Sequence, residues 1–156
     1  MKIWILRHGQ AEPMAASDPL RALTQHGREE AVKVAQLLAG EPLDTILASP
    51  YLRAQQTADQ VCRAISYPRA VSTAAWLTPD DDPRQALDFL AERTERHLLL
   101  VSHQPLVSQF ISLLVDGHKG GHYPMPTAGL ACIETDFPAA GIGQLLMLTS
   151  PGELPA

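Results

Sequence analysis

The run His97-Leu98-Leu99-Leu100-Val101-Ser102 leaves a chain like this few folds. It is an unbroken apolar stretch, too short for a membrane span, and it must be covered on both faces. A strand of that kind belongs at the centre of a parallel sheet between two helical layers. Two further runs have the same character: Lys2-Ile3-Trp4-Ile5-Leu6 and Thr45-Ile46-Leu47-Ala48. The segments between them carry apolar residues at helical spacing, as in Ala31, Val34, Ala35 and Leu38, or Ala54, Ala58, Val61 and Ile65. Strands alternating with helices predict an α/β fold. The expectation is a mostly parallel central sheet flanked by helices, in a single compact domain over residues 1–156.

Local signals set the expected boundaries. Thr24 opens a helix, with Glu29 and Glu30 favoured by the positive end of its dipole, and Gly40 closes it. Ser49-Pro50 reads as an N-cap with proline at the first helical position. A weak strand is expected at Ala70 to Ser72, and a helix from Asp82-Pro83 to about Arg96. A further helix runs from Gln104-Pro105 to Val115, where Asp116-Gly117 ends it. Strands follow at Leu130 to Glu134 and at Gln144 to Leu148, then a frayed proline-rich tail.

Charge and cysteines narrow the function. A net charge of −5 argues against general affinity for nucleic acid, so any anion site must be a local basic cluster. No apolar run is long enough to span a membrane. The residues ahead of Arg7 are too few for a secretory leader, which sets the expectation of a cytoplasmic protein. Cys62 and Cys132 lack CxxC spacing and read as reduced, buried thiols, with a structural disulfide as the alternative.

The polar residues at the strand ends carry the chemistry. The first strand ends on Arg7-His8-Gly9, and Gly9 allows a sharp turn and close approach of backbone to a ligand. In open α/β sheets, ligands bind beyond the carboxyl ends of the strands. Arg53 lies in the first turn of a helix, where free N–H groups and a forked guanidinium both suit phosphate. His103 repeats the placement of His8 at the end of the apolar run. Taken singly, these residues read as a polar loop, a surface arginine and a structural histidine. Taken together, Arg7, His8, Arg53 and His103 come from three strand ends and should converge on one rim as a phosphate cradle. Other polar residues read as background. Arg21 is expected to be solvated, His26 to lie at the surface or cap a helix, and Asp80, Asp81 and Asp82 to form a solvated loop and cap. His118 and His122 have the spacing of a metal pair, but Gly120, Gly121 and Pro124 oppose a helix there and no third ligand is evident. Without a cysteine phosphatase loop, a P-loop or a metal set, phosphoryl transfer is left to covalent catalysis by histidine.

The segments Arg7-His8-Gly9, Ser49-Pro50-Tyr51-Leu52-Arg53-Ala54-Gln55-Gln56-Thr57 and Ser102-His103 resemble the histidine phosphatase superfamily, the phosphoglycerate-mutase-like fold. Leu23-Thr24-Gln25-His26-Gly27-Arg28-Glu29-Glu30-Ala31 is similar to that family's first-helix motif. The small size, Ala15-Ala16-Ser17-Asp18 and Leu77-Thr78-Pro79 resemble the SixA-type phosphohistidine phosphatases of bacteria. The resemblance implies that His8 is the nucleophile, with a backbone carbonyl near Gly9 fixing its tautomer. It implies that Arg7 and Arg53 hold the phosphoryl oxygens, that His103, cationic once phosphate is bound, neutralises developing charge, and that Thr127-Ala128 adds a backbone donor. It implies no metal and no organic cofactor. The partner it implies is a phosphohistidine-bearing protein of a phosphotransfer or two-component signalling system, acted on by a monomer that binds phosphate or its analogues.

Two departures sharpen this expectation. Related small members carry a glutamate directly before Leu-Thr-Pro, where this chain has Trp76. An alkoxide needs such an acid because it is very basic (roughly 15.7 for water itself). An imidazole leaving group, with a pKa of about 6.5, needs it far less. A phosphohistidine substrate is therefore expected, with Asp80, Asp81 or Asp82 swinging in as acid the competing possibility. Ser72 to Pro83 is also too short for the helical lid of members acting on small molecules. A general small-molecule phosphomonoesterase, or a binding module without catalysis, are the alternative functions.

Overall fold

The structure is a computed structural model and describes residues 1–155. The chain runs β1 (Lys2–Arg7), α1 (Gln25–Ala35), β2 (Thr45–Ala48), α2 (Leu52–Ile65), β3 (Ser72–Thr73), α3 (Pro83–Ala91), β4 (His97–Ser102), α4 (Leu106–Asp116), β5 (Leu130–Glu134) and β6 (Gln144–Thr149). The six strands form one sheet in the order β3-β2-β4-β1-β5-β6. Strands β3, β2, β4 and β1 are parallel, with Leu47 beside Leu100 and Ile5 beside Leu100 across the two central pairs. Strand β5 runs antiparallel to β1, and β6 antiparallel to β5. The expected mostly parallel α/β sheet is present.

Alternation along each strand divides the core. Ile3, Ile5, Leu98 and Leu100 face α3 and α4, where they meet Leu90, Leu106, Phe110 and Ile111. Trp4, Leu6, Leu99 and Val101 face α1 and α2, against Val34, Leu38, Ala58 and Val61. The apolar run of β4 is continuous because both its faces are covered. No helix among the described residues is long and apolar enough to cross a membrane.

Four local expectations need correction. The helix expected to reach Arg96 ends at Ala91. Arg96 already serves the sheet: its carbonyl accepts from Lys2 N at 2.7 Å and its amide donates to Asp44 Oδ2 at 3.0 Å. Ser49 is not a helix cap, since Ser49 N still extends the ladder to Val101 O at 3.0 Å and α2 begins only at Leu52. The weak third strand lies at Ser72–Thr73 rather than Ala70 to Ser72, where Ala74 N bonds Ala48 O at 2.8 Å. The tail is not frayed at its start: Pro151–Glu153 form a 3-10 turn that packs Leu154 against the α1–α2 face. Both cysteines are free thiols, Cys132 buried and Cys62 half-buried, and burial pushes each up to about 11. Thiols so placed are protonated and poor nucleophiles.

Candidate active site

Because β1, β2 and β4 are parallel, their carboxyl ends share one rim, and His8, Ser49 and His103 each follow a strand there. His8 is 7% exposed and held by its backbone, with its N–H on Ser102 O at 3.0 Å and its carbonyl accepting from Ala128 N at 2.9 Å. Its Nδ1 lies 2.6 Å from the Gly9 carbonyl. A carbonyl only accepts, so Nδ1 carries the proton and Nε2 keeps a lone pair. Gly9 is required for a reason beyond a turn. A Cβ there would overlap the Gly27 carbonyl, and one on Gly27 would overlap the Gln10 carbonyl. The loop after β1 thus lies directly on the start of α1.

Arg53, in the first turn of α2, is 4% exposed. Its Nε donates to His8 Nε2 at 3.3 Å. Its Nη1 and Nη2 donate to Asp18, at the main-chain carbonyl (2.8 Å) and at Oδ2 (3.1 Å). Its Cζ lies 5.1 Å from the Tyr51 ring centroid. Thr57 couples the two residues, accepting from Gly9 N at 3.1 Å and donating to Arg53 O at 2.7 Å.

His103 is 1% exposed and its ring centroid lies 5.1 Å from that of His8. Its Nε2 lies 2.7 Å from Ser49 Oγ, which also accepts from Tyr51 N at 3.2 Å. Ser49 Oγ has a second lone pair for an Nε2–H and a proton for a bare Nε2, so this bond serves either tautomer of His103; in the one that bears Nδ1–H, that donor is left over. That Nδ1 has no hydrogen-bond partner, and neither does Arg7 Nε. Arg7 Nη1 is anchored on Met125 O at 3.0 Å. A buried donor without a partner costs about 1–3 kcal/mol. Two of them beside one neutral imidazole mark a place shaped for an anion with several oxygens.

The electrostatics agree. Burial pushes His8 down to about 4, opposed by the Gly9 carbonyl and reinforced by Arg53 and Arg7. Burial, then the His8 ring and Arg53, push His103 down to about 3. Both rings are neutral at neutral pH, so His8 Nε2 is available as a nucleophile.

The structure brings Arg53, His8 and His103 together and places Arg7 directly before His8. Of the backbone donors expected from Thr127-Ala128, the structure commits only that of Ala128. The Ala128 N–H is already taken by the His8 carbonyl, and the Thr127 hydroxyl donates to Glu30 at 2.9 and 3.1 Å. Of the three consecutive aspartates, Asp81 accepts from Thr78 N at 2.7 Å and Asp82 caps α3 through Arg84 N at 2.9 Å. Trp76 stacks on Phe89 with centroids 5.4 Å apart. His118 Nδ1 accepts from Gly120 N, and no group of three or more potential metal ligands occurs among the described residues.

Five residues around this site carry roles that sequence reading had assigned elsewhere or passed over. Glu30 looked like a dipole-favoured helix residue, but it accepts from Gln10 N at 2.8 Å and from Thr127, pinning both loops that hold the His8 backbone. Ser49, Tyr51 and Thr57 contact the His103 ring, the Arg53 guanidinium and the Arg53 backbone. Asp18, which the sequence offers only within the segment Ala15-Ala16-Ser17-Asp18, is the carboxylate partner of Arg53.

Comparison with known proteins points to one family. The model of the histidine phosphatase superfamily (branch 1) matches residues 3–75. Phosphohistidine phosphatase SixA of Escherichia coli (strain K12) is 34% identical over 141 residues, 87% of this chain and 86% of that protein. The SixA homolog of Haemophilus influenzae is 36% identical over 126 residues, 73% of this chain and 77% of that protein. A solved structure of the protein histidine phosphatase SixA complexed with tungstate superposes with a TM-score of 0.88 at 31% identity, covering 99% of this chain and 100% of that one.

Proposed function

The chain belongs to the histidine phosphatase superfamily, and from that premise we propose that it hydrolyses phosphohistidine on a phosphotransfer-type partner protein through a phosphoryl group carried on His8. The observation that carries the reading is the His8 ring itself. Its Nδ1–H is committed to Gly9 O at 2.6 Å, and its Nε2 lone pair lies on the Arg53 side of the cleft.

In the first step Nε2 attacks phosphorus and the substrate P–N bond breaks. The substrate ring is protonated from solvent at its far nitrogen beforehand, so the bonding pair departs with a neutral imidazole and no acid is needed at the breaking bond. Arg53 and the free Nε–H of Arg7 hold the equatorial oxygens as charge spreads over them. The Nδ1–H of His103 is a third donor on the same oxygens. Water then attacks phosphorus on phospho-His8, the new P–N bond breaks, and phosphate leaves with His8 neutral again.

The acids near the cleft support a phosphoramidate substrate. Asp81 and Asp82 are committed to their own turn, which leaves exposed Asp80 as the competing acid of the three. Asp18 is held below the usual carboxylate range by Arg21 and then Arg53, so it has no proton to give at neutral pH. An imidazole leaves without one far more readily than an alkoxide does. Among the described residues, the connection between β3 and α3 holds only a short 3-10 turn, Ala75–Leu77, and no inserted helical lid. An open rim suits a histidine presented on a protein surface.

The test is a side-by-side hydrolysis assay on a phosphohistidine-bearing phosphotransfer protein, an aryl phosphate and a sugar phosphate, with wild type and His8→Ala. The expected result is turnover of the phosphohistidine protein far above either ester, and none with His8→Ala. Esters turned over as fast would remove the protein substrate and leave a general phosphomonoesterase.

A further inference from the structure

Resting on that phosphatase reading, the geometry points to Asp18 as the residue that sets anion affinity and product release at this site: its carboxylate is a built-in competitor for the phosphoryl place on Arg53. The Nε and Nη2 groups form one edge of a guanidinium, the edge that takes two oxygens of a phosphate side by side. Here Nε donates to His8 Nε2 at 3.3 Å and Nη2 donates to Asp18 Oδ2 at 3.1 Å. A phosphoryl group arriving at His8 Nε2 must put its oxygens on that same edge. It therefore frees the nucleophile's lone pair from Nε and displaces the carboxylate from Nη2. The third donor, Nη1, stays on the Asp18 main-chain carbonyl at 2.8 Å and keeps the guanidinium in place throughout.

The carboxylate can leave without unfolding anything. Its side chain is 53% exposed, and its second oxygen, Oδ1, is already on Arg21 Nη1 at 3.0 Å. Arg21 is fixed in turn by its Nε on Glu12 O at 2.7 Å. Asp18 thus moves between two arginines, giving up one and keeping the other.

Such a competitor weakens every anion at this place by the same factor. Free phosphate has little but the cradle to bind it and is shed. A phosphohistidine carried on a protein draws affinity from the surrounding surface and tolerates the loss. Asp18 accordingly relieves product inhibition at the cost of a higher KM for every phosphoryl ligand, a cost that the protein substrate's added surface contacts offset.

The test is calorimetric titration of folded wild type, Asp18→Asn and Asp18→Ala with tungstate and with inorganic phosphate. Both variants are expected to bind each oxyanion more tightly, by up to about fivefold, the scale of a half-exposed ion pair. On an aryl phosphate they are expected to lower KM, with kcat not raised, and to show stronger inhibition by phosphate. If wild type binds both anions and the variants bind no tighter, or more weakly, Asp18 only positions Arg53 and the inference falls alone. If folded wild type binds neither anion, the phosphatase reading falls and takes this inference with it. The second variant, and a thermal unfolding curve for each, keep a folding defect from passing for a binding result.

Discussion

The two flanks of the sheet do opposite work. On the parallel side, β1, β2 and β4 end in buried polar residues: His8, Ser49, Ser102 and His103, with Arg53 behind them. On the antiparallel side, β5 is buried along Leu130 to Ile133, and β6 lies half-exposed with Leu146 facing solvent. Chemistry collects where parallel strands end together, because only there do several chain segments leave the sheet at one rim. The apolar flank is nonetheless no bystander. The turn leading into β5 supplies Ala128 N to the His8 carbonyl and Met125 O to Arg7. One flank carries the buried polar cluster, and the other fixes the backbone on which it stands.

The sharpest way to break this division is His8→Ala. Loss of the nucleophile should lower phosphohistidine hydrolysis by about 10⁴-fold or more, with the fold retained in circular dichroism. Residual activity within tenfold of wild type would move the nucleophile elsewhere. Leu100→Ala, beneath the rim and 1% exposed, should cost about 2–5 kcal/mol in denaturant unfolding, because it opens a cavity in the α3–α4 face. A loss below about 1 kcal/mol would mean that this face is loosely packed.

Acid titration probes the cost of the polar rim directly. His8 at about 4 and His103 at about 3 both lie below the unfolded value of about 6.5. Between those limits the unfolded chain binds protons that the folded rings refuse, so stability falls as pH falls. From pH 7 to pH 5 one such ring costs about 2 kcal/mol. The slope should flatten in His103→Asn. A wild-type Tm that is level over this range would show that the rings are not held neutral by the fold.

Smaller effects sharpen the picture of the supporting flank. Glu30→Ala should lower kcat roughly tenfold, since it frees Gln10 N and the Thr127 hydroxyl, while Glu30→Gln keeps an acceptor and recovers most of the rate. Equal losses in both would make charge on Arg7, not loop anchoring, the role of Glu30. Leu146→Ser, on the exposed face of β6, should change stability by less than about 0.5 kcal/mol.

What was legible in the sequence was whatever a short window contains. The apolar runs of β1, β2 and β4, and the polar residues one step beyond them, placed Arg7, His8, Arg53 and His103 at one rim before any coordinate was needed. The motifs around Arg53 and Leu23 to Ala31 added the family resemblance. Roles decided across long separations were not legible. Asp18 meets Arg53 over 35 residues, and Thr127 meets Glu30 over 97. Glu30 had a sufficient local explanation in its helix dipole, and Ser49 in helix capping. Only the ladder bond of Ser49 to Val101, and its contact with His103, show why those local explanations lost. Ala91 ends α3 for the same reason, since Arg96 is needed by Lys2 and Asp44.

The central claim is that His8 carries the phosphoryl group, and trapping it is the most direct measurement. Wild type and His8→Ala would be mixed with a labelled phosphohistidine protein, quenched in alkaline denaturant to spare P–N bonds, and mapped by mass spectrometry. Label on the His8 peptide of wild type, appearing before free phosphate and missing in His8→Ala, is the result expected. Phosphate released with no labelled histidine, or with the label on another residue, would contradict the account.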